Sequence, residues 1–233
     1  MRIVAKEAYI RRATGAGKWL TLVALGLLGL SFIIYMLNVN WWFVTLVLGG
    51  LGFVCSVLGS YYGDRFAGPQ AHHLRVPEML KGFDDDYSLL VYATPVPFVL
   101  VEPGGLTVLL VKNQGGSVTY SNGKWRHKQA GRFFRQMGGQ EALGRPENYA
   151  ALLVADLQRY LRKRLPQAED IPVRALIVFI APKVELDAAD SPVPALRAEK
   201  VKGWLRGPGR RPALPGELRR TLVQALGLPL EAS

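Results

Sequence analysis

The sequence has few residues that could build a thiolate or imidazole metal centre. Among 233 residues there are one cysteine, Cys55, and three histidines. A single thiol excludes an internal disulfide and a zinc site made of several cysteines. His72 and His73 are adjacent and His127 stands in a basic segment, so no metal-binding spacing results. We therefore predict no resident metal or cofactor. Cys55 lies in an apolar run and is expected to be a small buried hydrophobic residue.

Acidic residues are also scarce. Eighteen acids face 29 lysines and arginines, which gives a formal charge of +11 and a pI near 9.9. Such a charge favours a polyanionic partner or an anionic membrane surface. The sequence also has no Ser-His-Asp arrangement, and Gly207-Pro208-Gly209 lacks the Gly-Lys-Ser/Thr ending of a phosphate-binding loop. No nucleotide hydrolase is indicated.

Two long apolar runs dominate the N-terminal part. Trp19–Leu37 has 19 residues and Trp41–Tyr62 has 22, and neither carries a charge. Each can cross a hydrocarbon core of ~30 Å as a helix. A cleaved signal peptide is the alternative for the first run, but a second run follows after only three residues. We predict a transmembrane helical hairpin over 19–62, in which Gly49, Gly50, Gly52 and Gly59 allow close helix packing.

The charges beside the hairpin predict its orientation. Five of the first eighteen residues are basic and only Glu7 is acidic, and basic residues also follow the second run. The turn between the runs has no charge. By the positive-inside rule both ends face the cytoplasm. We expect a two-span protein of the bacterial inner membrane, with residues 1–18 as a basic cytoplasmic N-terminus and residues 63–74 as a linker.

The remaining residues alternate between strand and helix patterns. Apolar runs predict strands at 87–93, 98–101, 106–112 and 175–181, and Asn122-Gly123 predicts a hairpin between short strands at 117–120 and 124–127. Helices are expected near 77–82, 148–165, 197–205 and 215–226, the first with Pro77 in its first turn. This order predicts an α/β sandwich with a mixed central sheet. We place its domain at 75–206 and regard 207–233 as a basic C-terminal extension with a short helix.

One part of this pattern resembles a known family. An apolar strand, Glu102-Pro103-Gly104-Gly105, a strand ending in Lys112-Asn113, Gly115-Gly116, a hairpin with Trp125, and a helix begun by proline follow one another. This order resembles the nuclease-related domain (NERD) family over about 75–206. The resemblance implies a restriction-endonuclease-like, PD-(D/E)XK fold. It also implies Mg²⁺-dependent cleavage of nucleic acid, in which two carboxylates hold the metal and a lysine assists the attacking water.

The chain departs from the family where the metal would bind. Lys112 occupies the lysine position, but Leu110 stands where the family has glutamate, and the aspartate position falls near Pro97-Phe98. Glu78 matches an upstream helix glutamate of the family, although one acid cannot hold Mg²⁺ alone. We therefore expect binding rather than hydrolysis. An active nuclease with relocated acidic ligands, such as Glu78 or Asp85, is the alternative.

A basic segment supplies the candidate binding surface. No acid occurs from 112 to 135, and aromatic residues are interleaved with the cations. The candidate residues are Lys112, Lys124, Trp125, Arg126, Lys128, Arg132 and Arg135. Cations could contact phosphates and rings could stack on bases. Anionic lipid or a protein partner fits the same composition, and so does a solvated positive face with the rings in the core.

Overall fold

The computed structural model describes residues 1–68, 71–129, 131, 141–165 and 168–228. The chain forms two compact units. One consists mainly of Glu7–Arg75, and the other combines Met1–Lys6, Val76–Gln129 and the residues from Leu143 onward. We call them the hairpin unit and the sheet unit. The N-terminal residues therefore belong with the C-terminal part of the chain, which the local sequence pattern does not predict.

The hairpin unit is built on two long helices, α1 (Glu7–Leu37) and α2 (Trp42–Phe66), joined by the 3₁₀ turn Val39–Trp41. Asn38 caps this turn by accepting a hydrogen bond from the Asn40 backbone N–H at 3.0 Å. Both helices are long and apolar enough to cross a membrane, and only 11% of the most apolar window of each is buried. A core helix of a soluble protein would be mostly buried.

The structure changes three details of the predicted hairpin and linker. Helix α1 begins at Glu7 rather than Trp19, so most of the basic N-terminal segment is helical. The predicted linker is shortened because α2 runs to Phe66 and a further helix begins at His72. Cys55 is half-exposed rather than buried, since only one face of α2 packs on α1.

Small residues form the contact between α1 and α2. Buried positions recur every seven residues on both helices: Gly17, Ala24 and Ser31 on α1, and Gly52, Gly59 and Phe66 on α2. A seven-residue repeat keeps one seam of a helix against its partner, and small residues let the backbones approach closely. The Ser31 hydroxyl also donates to the Thr45 carbonyl across the seam at 2.9 Å.

Two glycines of α2 differ in the space available for a side chain. A Cβ at Gly59 would lie 2.7 Å from Thr21 Oγ1 and 3.1 Å from Thr21 N, whereas a Cβ at Gly50 would meet open space. We expect Gly59→Val to destabilise the hairpin by about 1–3 kcal/mol through overpacking. Thermal unfolding of the full-length protein in detergent measures the loss. Gly50→Val is the matched control. Equal losses of stability in both variants would show that α1 and α2 do not pack along this seam.

The main sheet of the sheet unit has six strands: β1 (Arg2–Ala5), β2 (Ser88–Val91), β3 (Phe98–Glu102), β4 (Gly105–Lys112), β7 (Val173–Phe179) and β9 (Ala195–Arg197). They lie in the order β1-β2-β3-β4-β7-β9. Neighbours β2, β3 and β4 are antiparallel, and the other pairs are parallel. The mixed sheet is thus confirmed. Strands β2 to β4 are buried along their whole length, which explains their continuous apolar sequences.

A second sheet of three strands lies in the order β6-β5-β8, with β5 (Gly116–Ser121), β6 (Lys124–Lys128) and β8 (Val184–Asp187). The turn between β5 and β6 has positive φ angles at Asn122 (51°) and Gly123 (72°). These are the angles that a two-residue hairpin turn requires, and they confirm the predicted hairpin.

The described residues include four further helices: α3 (His72–Leu80), α4 (Pro146–Arg162), α5 (Ala198–Arg206) and α6 (Gly216–Ala225). Helix α4 packs on β4 and β7 through an apolar stripe that includes Leu153 and Leu157. Pro77 lies inside α3 and not in its first turn, because the helix begins five residues earlier than predicted. The segment after 206 is part of the sheet unit, where Leu222 of α6 is fully buried in the core.

Candidate functional site

Lys112 ends β4 inside the protein. Its parallel partner on β7 is Phe179, and its carbonyl accepts a hydrogen bond from the Ile180 N–H at 2.9 Å. The Lys112 side chain is only 4% exposed. Its Nζ lies 5.9 Å from the centroid of the Tyr149 ring, on the first turn of α4. This distance allows a cation–π contact. The lysine side chain is therefore buried at the end of the strand and is not part of an exposed strip.

Core residues occupy the positions where the family resemblance requires metal ligands. Leu110 is 4% exposed and belongs to the main hydrophobic core, and Phe98 is 2% exposed with its ring 5.2 Å from that of Tyr92. Both side chains contribute apolar burial and can supply no oxygen ligand. The apolar character of β3 and β4 thus extends through Phe98 and Leu110.

The other predicted acids do not come together. Glu78 is exposed on α3, and the three aspartates 84–86 precede β2 in an exposed loop. Asp86 pairs with Arg219 of α6 at 2.8 Å. Within the described part of the chain, no group of three or more histidine, cysteine, aspartate or glutamate side chains could hold a metal ion.

Three of the predicted basic residues form one exposed row. Lys124, Arg126 and Lys128 of β6 are exposed, and the two residues between them are half-buried. Alternate residues of a strand lie on the same face about 7 Å apart, so the row is about 14 Å long. Their partners on β5 are Ser121, Thr119 and Ser117, respectively. We call Lys124, Arg126 and Lys128 the β6 strip.

The same face of the small sheet carries acids on its far strand. Glu185 and Asp187 of β8 are exposed and pair in register with Ser117 and Thr119 of β5. Strands in a sheet are about 4.8 Å apart, so β6 and β8 are separated by about 10 Å. The face therefore has a positive edge, a central row of hydroxyl groups, and a negative edge.

The aromatic residues of this sheet point to the opposite face. The Trp125 ring is 5.1 Å from the Tyr120 ring and 6.2 Å from the ring of the buried Phe179. His127 donates from Nε2 to the Gly115 carbonyl at 2.8 Å and so ties β6 to the segment just before β5. These rings pack on the core side, which leaves the β6 strip without aromatic rings beside it. Arg132 and Arg135 lie outside the described residues.

A second charged cluster was not predicted as a site. Glu102, at the end of β3, is 4% exposed and accepts hydrogen bonds from three side chains. Arg174 of β7 donates to both of its oxygens at 3.1 Å, Arg211 donates to Oε1 at 2.7 Å, and Thr107 of β4 donates its hydroxyl to Oε1. We call these four residues the Glu102 cluster. Burial lowers the pKa of Arg211, and the charge of Glu102 acts in the opposite direction.

Glycines in the β3–β4 turn let Arg211 reach this cluster. A Cβ at Gly104 would lie 2.6 Å from Arg211 Cβ, and a Cβ at Gly105 would clash with the Pro172 carbonyl. Gly105 also has a φ of 124°, which only glycine adopts without strain. The Pro-Gly-Gly turn is thus required both for the hairpin and for close approach of the segments that carry Arg211 and Arg174.

The sequence contains a signal for this cluster. Glu102 and Arg174 are single charges in otherwise apolar strands, FVLVE and VRALIVF. A buried charge needs an opposite charge and hydrogen bonds, so two such interruptions of opposite sign are candidates for pairing.

Comparison of the chain with protein-family models, curated proteins and solved structures gave no match.

Proposed function

We propose that this chain is a membrane-anchored binding module that holds nucleic acid along the β6 strip without cleaving it. The observation that carries the proposal is the exposed row of Lys124, Arg126 and Lys128 beside the hydroxyl groups of β5. Cations and hydroxyl groups are the donors that contact phosphate oxygens. Because the rings of this sheet face the core, binding would be to the sugar-phosphate backbone and would not depend on base sequence.

The charge pattern of this face favours a linear polyanion over an anionic membrane. A flat lipid surface lying on the face would meet Glu185 and Asp187 as well as the cations. A nucleic-acid strand can follow the β6 edge and stay about 10 Å from the acids. The acidic edge would then orient the strand along β6, since like charges repel.

The order of elements supports a nuclease-related framework without its chemistry. Strand β3, the Pro-Gly-Gly turn, β4 ending at Lys112, the hairpin with Trp125, and helix α4 beginning at Pro146 follow the order that resembles the nuclease-related domain family. We propose that the mixed sheet is a restriction-endonuclease-like core in which Leu110 and Phe98 have replaced the metal ligands. An active nuclease would need acids from elsewhere, and Mg²⁺-dependent cleavage would reveal it.

A salt-dependent titration tests the proposed function. Full-length protein in zwitterionic nanodiscs is titrated with fluorescent duplexes of two unrelated sequences, and separately with vesicles that contain phosphatidylserine. We expect equal affinity for both duplexes and a log–log salt slope of about −2.7, which corresponds to three phosphate contacts. Binding to the vesicles alone, or to neither probe at 50 mM salt, would overturn the proposal. Incubation of the bound duplex with Mg²⁺ tests for cleavage.

We also propose that both ends of the hairpin lie on the cytoplasmic side of the membrane. Strand β1, before α1, pairs with β2, which follows α2, from Arg2↔Ser88 to Ala5↔Val91. Two segments of one sheet must lie on the same side of any membrane that the intervening hairpin crosses. The basic residues on both flanks favour the cytoplasm.

Cysteine labelling measures this topology. In a Cys55→Ser background, single cysteines replace Asn40, in the turn of the hairpin, or Glu185, on exposed β8. We expect a membrane-impermeant maleimide to label position 40 in intact spheroplasts and position 185 only after permeabilisation. Labelling of both positions from the same side would exclude a two-span hairpin.

A further inference from the structure

A pocket of ≈ 280 Å³ opens in the sheet unit, on elements other than the small sheet that carries the β6 strip. Three segments line it: the loop 83–87 before β2, the turn 102–104 between β3 and β4, and residues 205–213 at and after the end of α5. The loop and the C-terminal segment are far apart in sequence. They meet through contacts such as that of Arg206, which donates to the Gly82 carbonyl at 2.6 Å.

The pocket is surrounded by an excess of positive charge. Arg206, Arg210 and Arg211 line it together with Asp84, Asp86 and Glu102. Asp86 is neutralised by Arg219, and Glu102 is bound by Arg174 as well as by Arg211. Arg174 and Arg219 do not line the pocket, but they pair with two of its carboxylates, so five guanidinium groups in and beside the pocket stand against three lining carboxylates. This local count leaves a surplus of two positive charges. A dianion would balance this surplus, and a single carboxylate would not.

Hydrogen-bond donors remain for such a ligand. Arg211 uses its Nη atoms on Glu102 and on two backbone carbonyls, while its Nε is buried with no partner among the described residues. An unsatisfied buried donor is destabilising, and a ligand oxygen would satisfy this one if the Arg211 side chain shifted toward the pocket. The Arg210 guanidinium is exposed at the pocket.

Tyr87 supplies a third donor. Its pKa is raised, first by burial and then by the charges of Glu102 and Asp84. The hydroxyl is therefore protonated at neutral pH and can donate a hydrogen bond. The Tyr87 ring packs on the Phe83 ring with centroids 4.4 Å apart, which forms an apolar wall beside the donors.

We propose that this pocket binds a phosphate or small phosphomonoester group through Arg210, Arg211 and Tyr87. A phosphomonoester carries a charge of about −1.5 to −2 at pH 7, which matches the surplus at the site. Guanidinium groups present paired N–H donors that suit phosphate oxygens. The volume lies just below the usual range of about 300–1,000 Å³ for ligand pockets, so it accommodates the anion with a small attached group.

Calorimetry with inorganic phosphate tests the proposal. Full-length protein in phosphatidylcholine nanodiscs is compared with Arg210→Gln and Tyr87→Phe. We expect Arg210→Gln to weaken phosphate binding about 10-fold or more, because it removes charge-assisted hydrogen bonds to the anion. Tyr87→Phe should weaken it less. Arg162→Gln is the control, since Arg162 is exposed at the end of α4 and does not line the pocket.

A second arm identifies the source of the phosphate group. If nanodiscs that contain phosphatidic acid abolish the phosphate titration, a lipid headgroup occupies the pocket; if the titration is unchanged, the ligand is soluble. No phosphate binding in phosphatidylcholine nanodiscs, or equal binding by Arg210→Gln and Arg162→Gln, would overturn the proposal. Duplex binding by Arg210→Gln reports separately on the β6 strip, so the two proposals can fail independently.

Discussion

Glu102→Ala is expected to destabilise the sheet unit by about 3–5 kcal/mol, because it leaves two largely buried guanidinium groups without their carboxylate. The side chains of Arg174 and Arg211 are only 21% and 16% exposed, and that of Glu102 is 3% exposed. Thr107 would lose its acceptor as well. A change of this size is a large fraction of the 5–15 kcal/mol that stabilises a typical domain.

Unfolding of the full-length protein in detergent, followed by pulse proteolysis of the sheet unit, measures this effect. Glu185→Ala is the matched control, because Glu185 is exposed on β8 and such changes usually alter stability by less than about 0.5 kcal/mol. Glu102→Gln should fall between the two, since it keeps the shape and some hydrogen bonds but removes the charge. Equal stability of Glu102→Ala and Glu185→Ala would show that the Glu102 cluster does not hold the unit together.

The elements that the sequence predicts well are those whose signals are local. Asn122-Gly123 specifies the turn geometry of the β5–β6 hairpin, and Pro103-Gly104-Gly105 specifies the turn of the β3–β4 hairpin. The apolar stripe of α4 and the continuous apolar sequence of β7 likewise depend on residues within one element. Local turn residues and local periodicity were sufficient to predict these elements, and their order in the sequence predicted the mixed sheet that contains β3, β4 and β7.

The elements that sequence reasoning missed depend on long-range pairing. Strand β1 has only four residues and pairs with a strand more than eighty positions away, and β9 has only three. Neither has a periodic pattern long enough to distinguish a strand from a loop. The segment after 206 appears as a basic extension because Arg210 and Arg211 dominate its composition, although Arg211 binds a carboxylate from β3.

The residues of the candidate sites also fall into two groups: those that a local sequence pattern predicts and those whose position depends on long-range contacts. Strand alternation predicts that Lys124, Arg126 and Lys128 share one face and that Trp125 occupies the other. Composition alone grouped Lys112 with these cations, but the structure buries it at the end of β4. The pocket at Arg210 has no sequence signal, because residues 205–213 meet the two other lining segments, which lie about one hundred residues earlier in the chain, only in the fold.

Replacing the β6 strip should have the largest effect on the proposed binding. For the triple variant Lys124→Gln, Arg126→Gln, Lys128→Gln, we expect duplex affinity at low salt to fall at least about 10-fold. The log–log salt slope should flatten by about 2.7, because each lost phosphate contact removes about 0.9 from it. These side chains are exposed, so the fold and the Tm should change little. Fluorescence titration at four salt concentrations between 50 and 200 mM measures both quantities.

The acidic edge of the same sheet provides an opposite test. Glu185→Gln with Asp187→Gln removes two negative charges that lie about 10 Å from the strip, close to the Debye length at 0.1 M salt. We expect this variant to bind the duplex more tightly at low salt while leaving the slope unchanged, because it adds no phosphate contact. Nucleic acid does not lie along β6 if two results are found together. The Glu185→Gln, Asp187→Gln variant would bind the duplex no more tightly than the wild type, and the triple variant of the β6 strip would keep the wild-type salt slope. If the acid-to-amide variant binds the duplex more tightly and the triple variant binds it more weakly, the polyanion lies on the positive edge of this face. The opposite edge, which carries Glu185 and Asp187, would then repel it.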